Sequence, residues 1–141
     1  MSRVKELLSE LYEARQDCLN LSRPEYVAVH MLPYQNRKIE YFVLFLLDNK
    51  NNVMAKKTLS RGTVDQAPVY IREIMRHVLI KQASGIIIAH NHPGGDPKPS
   101  VQDQELTTRI QKAAQTLDVR FLDHVIVARD GHFSFQAQGL L

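Results

Sequence analysis

The chain has a single cysteine, Cys18, among its 141 residues. An internal disulfide is therefore excluded, and so is a structural zinc site built mainly from cysteines. A lone cysteine suits a reducing cytoplasm, and Cys18 reads as a small core residue of the first helix. No apolar run approaches the ~18 residues of a membrane span. The start, Met1-Ser-Arg-Val-Lys-Glu6, is charged and leads into an amphipathic helix, unlike a signal peptide. There is no internal repeat, low-complexity tract or Gly/Ser linker. What is present is an ordinary globular balance, 44% hydrophobic and 23% charged. That length and balance fit one domain.

The net charge of +3 is unevenly spread. Residues 31–81 hold nine Lys/Arg against four Asp/Glu, a local +5, while 1–30 and 82–141 are each −1. A basic middle can face phosphates or acidic partners. No basic cluster interleaved with aromatics sharpens a nucleic-acid role, so a solvated, mildly basic face is the simpler reading.

Hydrophobic spacing sets the elements. Val4, Leu7, Leu8, Leu11 and Tyr12 mark an N-terminal helix that fades by Pro24. Tyr26 to Met31 reads as a short strand. Ile39 to Leu47 is nearly unbroken apolar and reads as a central strand buried on both faces. Residues 48–52 are a turn, Val53 to Ser60 a hairpin partner, and 61–68 a loop. Ile71, Ile74, Met75, Val78 and Leu79 mark a second helix, which ends before Gly85. Gly85 to Ala89 is a short buried strand. A third helix follows Ser100, with Val101, Leu106, Ile110, Ala113, Ala114 and Leu117 inward. Residues 125–127 and 132–135 read as closing strands joined at Asp130-Gly131. Helices interleaved with buried strands imply an α/β domain around a mixed β-sheet flanked by helices.

The densest chemistry lies between His90 and Asp103. Residues two apart in an extended chain share a face, so His90 and His92 aim together beyond the strand end. The stiff loop 93–99 can bring the next helix back beside them. Ser100 stands at its N-cap, and Asp103 in its first turn. Two imidazoles and one carboxylate make three N/O ligands and leave a fourth position for water, the pattern of catalytic zinc. Ser100-Val-Gln-Asp103 is also a plain capping pattern, and a His-x-His pair alone can be surface decoration. The coincidence of strand end, rigid loop and helix start favours one zinc ion at His90, His92 and Asp103.

This run resembles the JAMM (MPN+/JAB) metalloprotease motif, and His90-Asn-His-Pro-x-Gly-Asp-Pro-x-Pro-Ser-x-x-Asp103 resembles its RadC-like branch. Leu46-Leu-Asp48, Arg61-Gly-Thr63 and Leu122-Asp-His124, placed before a strand, agree. The resemblance covers roughly 25–141, which divides the chain into an N-terminal helix and connection, 1–24, and a JAB/MPN (RadC-like) domain, 25–141. It implies a three-layer, cytidine-deaminase-like fold. It implies that His90, His92 and Asp103 bind zinc, that Ser100 helps hold an oxyanion, and that a glutamate on an earlier strand activates water. Two features depart from the branch. Position 94 is glycine where serine is usual, and the N-terminal helical DNA-binding-type region of longer relatives has at most one helix as counterpart here.

Glu40 is the candidate glutamate, because an acid opening the most apolar strand is out of character unless it faces a mouth or solvent. Glu73, between Arg72 and Arg76, is the competitor and reads better as a surface ion-pair residue. His124 reads as structural, with a place behind the ligands as the other option; His30, His77 and His132 read as ordinary. The leading expectation is a cytoplasmic zinc metallopeptidase or isopeptidase acting on a peptide or protein amide. The alternatives are a metal-dependent protein acting on or binding DNA, and a non-catalytic metal-stabilised binding module.

Overall fold

The computed structural model describes residues 20–62 and 69–141. The N-terminal amphipathic helix, Cys18 and most of the 61–68 loop lie outside the described residues.

The apolar run at 40–47 forms β1 (Glu40–Leu47), in which only Tyr41 is not fully buried. The turn after it is held by the Asp48 carboxylate, which accepts from the backbone N–H of Lys50 at 2.8 Å and of Asn52 at 3.0 Å. β2 (Val53–Gly62) returns antiparallel with alternating burial, as an edge strand should. α2 will denote the helix Ile71–Lys81, α1 the helix Pro24–His30 and α3 the helix Val101–Thr116. β3 (Gly85–Asn91) is buried along its whole length. β4 (Arg120–Ala128) and β5 (Gly131–Ser134) complete a five-stranded sheet of order β2-β1-β3-β4-β5. β3 and β4 pair in parallel, with α3 as the crossover, and the other pairs are antiparallel.

Side-chain alternation splits the core between the two faces of the sheet. Phe42, Leu44, Leu46, Ile86 and Ile88 meet Ile74 and Val78 of α2 and Ile110 and Ala114 of α3. Val43, Phe45, Leu47, Ile87, Ala89, Val125 and Val127 meet Leu21, Val27 and Met31 on the other side. The result is a three-layer α/β domain, as expected.

Three local readings are corrected. Residues 26–31 are not a strand but lie on α1 and its C-cap. Pro24 presets the first helical turn, and Val27 and Met31, four apart, are the residues with no exposure. The valines suggested extended chain, but burial of one helical stripe decides. On α3, Val101 is 67% and Leu117 39% exposed rather than inward. The buried stripe is instead Asp103, Thr107, Ile110 and Ala114, polar where the helix meets the histidines and apolar over the sheet. Finally, β4 begins at Arg120, so Asp123 and His124 lie within a strand, and the β4–β5 turn is Arg129-Asp130, one residue earlier than read.

Candidate metal centre

β3 carries His90 toward α3, and His92 follows just past the strand's end. His90 pairs across the sheet with Phe42 of β1, so Glu40, two residues before Phe42, comes to the same end and the same face as His92. The loop after β3 is anchored by the His92 N–H to Val127 carbonyl bond, 2.8 Å, and the Asp130 N–H to Gly95 carbonyl bond, 3.1 Å. Gly95 has φ +93°, a conformation that strains any residue with a side chain, so glycine is favoured there; the Arg129 guanidinium that a Cβ would approach is exposed and can move aside. A Cβ at Gly94 would meet nothing within 4 Å, so the serine usual in the branch would also fit.

The loop delivers α3 with Ser100 as its N-cap. The Ser100 hydroxyl accepts from Asp103 N–H at 3.0 Å, and the Asp103 carboxylate accepts from Ser100 N–H at 2.9 Å. The capping reading of this stretch is thus realised, and it aims Asp103 at the histidines. His90 Nε2 lies 2.9 Å from His92 Nε2 and 3.3 Å from Asp103 Oδ1, and His92 Nε2 lies 3.1 Å from Asp103 Oδ2. Donors bound to one tetrahedral zinc at ~2.0–2.1 Å sit about 3.3 Å apart, so this group has the spacing to hold such an ion.

Glu40 stands beside these donors. It is 2% exposed, its Oε1 is 3.8 Å from His90 Nε2, and its Oε2 has no hydrogen-bond partner. A buried carboxylate oxygen left unpaired is costly, and it points to a missing donor such as a water on the metal. Burial raises the Glu40 pKa to about 7; the neighbouring His92 opposes the shift and Asp103 adds to it. Burial would also raise Asp103, but the neighbouring His90 and His92 imidazoles and the Ser100 N–H outweigh it and hold Asp103 below the usual carboxylate range. Burial lowers the His90 pKa. Burial acts the same way on His92, but its bonds to Asp103 and the Asp96 carbonyl, with the charges of Asp103 and Glu40, raise it overall.

A stability prediction follows from Glu40. The folded, metal-free chain holds this proton more tightly than the unfolded chain. The stabilisation is full below pH 4.5, the ordinary value, and is lost as pH rises through about 7. Glu40→Gln carries no such loss. In thermal melts of metal-free protein the variant should match the parent at pH 4.5 and exceed it by several degrees at pH 8, at most ~3 kcal/mol. Equal pH dependence in the two proteins would contradict the buried carboxylate.

Three further residues support the group. Asn91, wholly buried between the two histidines, faces the other way. Its amide donates to Ile39 carbonyl at 2.9 Å and accepts from Tyr41 N–H at 2.7 Å, clasping the backbone on both sides of Glu40. His124, opposite Ile88 on β4, reaches His90 Nδ1 at 2.8 Å and Thr107 Oγ at 2.6 Å. Burial holds the His124 pKa well below its usual value. Among the sequence candidates, the structure brings together Glu40, His90, His92, Ser100 and Asp103. It leaves Glu73 on α2, exposed and 3.8 Å from Arg76.

Residues 21–140 match the RadC-like JAB domain family. A UPF0758 protein of Ruegeria pomeroyi is 43% identical over 106 residues, 75% of this chain and 47% of its own length. One from Neisseria meningitidis serogroup B is 42% identical over 132 residues, 93% of this chain and 59% of its own. The chain belongs to the RadC-like JAB domain family. It spans about half the length of the curated relatives it matches. Within the matched region, His90, His92 and Asp103 are positioned to hold a metal ion. Among the described residues, no helix is long and apolar enough to cross a membrane.

The sequence reading missed Asn91 and Thr107 and placed His124 among structural residues. Thr107 carried a usable signal, lying four residues past Asp103 on the same helical stripe. His124 depended on the β3–β4 register, which no local pattern reveals.

Proposed function

We propose that this domain is a zinc-dependent hydrolase cleaving a peptide or isopeptide bond, with Glu40 as its general base. The observation that carries the reading is the buried Glu40 carboxylate, near neutral in pKa and unpartnered at Oε2, beside the His90–His92–Asp103 donors. The family relationship supports the same chemistry.

A zinc ion held by His90, His92 and Asp103 would supply Lewis acidity to an attacking water and to the scissile carbonyl. Glu40 takes a proton from that water as it attacks the carbonyl carbon. A base near pKa 7 is matched to this task at neutral pH. Glu40 then passes the proton to the leaving nitrogen, so the C–N bond breaks to an amine and a carboxylic acid. The Ser100 oxygen accepts from Asp103 N–H and keeps its own hydrogen to donate to the developing oxyanion.

The test is cleavage of a panel of peptide and isopeptide-linked substrates by the zinc-loaded chain. Cleavage should stop with a chelator and return with zinc. Absence of any chelator-sensitive cleavage, with zinc bound, would favour the metal-stabilised binding module. Salt-sensitive DNA binding with no amide cleavage would favour the nucleic-acid reading.

Ser100→Ala separates two roles. Loss of the cap should cost about 1 kcal/mol in denaturant unfolding. Loss of the oxyanion donor should lower kcat by about 10²-fold. Ser100→Thr should keep most of both. Full kcat in Ser100→Ala would leave Ser100 as a cap alone.

A further inference from the structure

The site donors are organised by a buried chain of hydrogen bonds that begins and ends on them. The Thr107 hydroxyl donates to the Asp103 carbonyl at 2.7 Å. One hydroxyl carries one hydrogen, so toward His124 Nδ1, 2.6 Å away, Thr107 can only accept. His124 therefore carries its proton on Nδ1. The ring is fully buried, and its two nitrogens face Thr107 and His90, neither an anion, so it is neutral. Its Nε2 is then a bare acceptor, and His90 Nδ1, 2.8 Å away, must donate to it. A neutral His90 with its proton on Nδ1 has a free lone pair on Nε2, the atom that faces His92 and Asp103.

Packing holds both rings in the planes this chain needs. His90 stacks on Phe42, with centroids 4.3 Å apart and planes 18° apart. His124 stacks on Phe135 at 4.8 Å and 7°. The stacks fix the ring planes; a half-turn within either plane would put ring carbons where His124 and His90 now face their partners with nitrogen, so the hydrogen bonds choose the flip. His92 is set by a simpler device, its Nδ1 donating to the Asp96 carbonyl at 3.0 Å.

We infer that His124 is a positioning residue which, seated on Thr107, locks His90 in the Nδ1–H tautomer and so presents Nε2 to a divalent metal. The inference rests on the metal-site reading given above, and it assigns to a strand residue far from the His-x-His motif a share of the metal affinity. Outer partners of this kind are typically worth 10–100-fold in metal affinity. Because Thr107 is bonded to the Asp103 carbonyl, the same chain ties the pose of His90 to the helix that carries Asp103.

The test has two readouts, one of them independent of metal. In the metal-free, 15N-histidine-labelled full chain, two-bond 1H–15N spectra at pH 8 should show Nδ1 protonated and Nε2 bare on both His90 and His124. The opposite tautomer on either ring overturns the inference with no variant needed. In zinc titrations, His124→Phe keeps the stack on Phe135 but offers no acceptor, and should raise the zinc Kd by 10–100-fold. His124→Gln, which has an acceptor and a donor, should recover most of that loss. An unchanged Kd in His124→Phe overturns the inference. Should that variant not fold, Thr107→Val is read instead, with a raised Kd and a mixed His90 tautomer expected and parent values contradicting. If the parent chain bound no zinc, the metal reading would fail, while the tautomer spectrum would still decide the hydrogen-bond chain.

Discussion

Glu40→Gln should keep its zinc and lose at least about 10³-fold in kcat, within the range a general acid–base group supplies. Three features make the effect large. Glu40 is asked to act twice, first removing a proton from water and then delivering it to the leaving amine. Among the described residues, the two carboxylates nearest in role are not free to substitute: Asp103 is committed to the histidines and to Ser100 N–H, and Glu73 sits on exposed α2. The glutamine amide fills the same space but cannot take a proton. KM should change little, and added zinc should not restore the rate. The measurement is kcat at saturating zinc, with metal content determined on the same sample. A variant that retains parental kcat would remove Glu40 from the chemistry.

Asp103→Asn should act through the metal instead. The variant loses the anionic donor, and zinc Kd should rise by at least about 10³-fold, beyond the 10–100-fold attached to outer partners. Activity at limiting zinc should fall in step. Unlike Glu40→Gln, this variant should recover part of its rate as zinc is raised. The N-cap bond from Asp103 N–H to Ser100 survives, because it uses the backbone. Unfolding of the metal-free protein should still become easier by about 3 kcal/mol, because the anion that pairs with buried His90 and His92 is gone. Parental zinc affinity in this variant would mean the metal is held elsewhere.

How far the sequence carried depends on how local each feature is. β1 and β3 were legible because a sheet covered on both faces leaves no polar alternation, and both runs are buried. The donors were legible because strand end, loop and helix start lie within one short segment. Glu40 comes from another strand, yet it showed as an acid at the head of an apolar run. α1 was not legible: its valines favour extended chain, and only packing of Val27 and Met31 under the sheet makes it helical. The neighbours of His124 were not legible for a different reason. It was read at the start of a strand, whereas β4 begins at Arg120 and sets His124 well inside the sheet, opposite Ile88. Asn91 escaped attention because alternation turns it from the metal side, where its work is on the backbone around Glu40.

One metal ion among His90, His92 and Asp103, with Glu40 beside it, is the arrangement on which the proposed chemistry depends. Anomalous diffraction at the zinc edge, from crystals of the zinc-loaded chain, tests it most directly. A single peak is expected, bonded to His90 Nε2, His92 Nε2 and an Asp103 oxygen at ~2.0–2.2 Å, with a Glu40 carboxylate oxygen within hydrogen-bond reach of the fourth ligand. A peak held by other residues, or a Glu40 carboxylate turned away from that ligand, would contradict it.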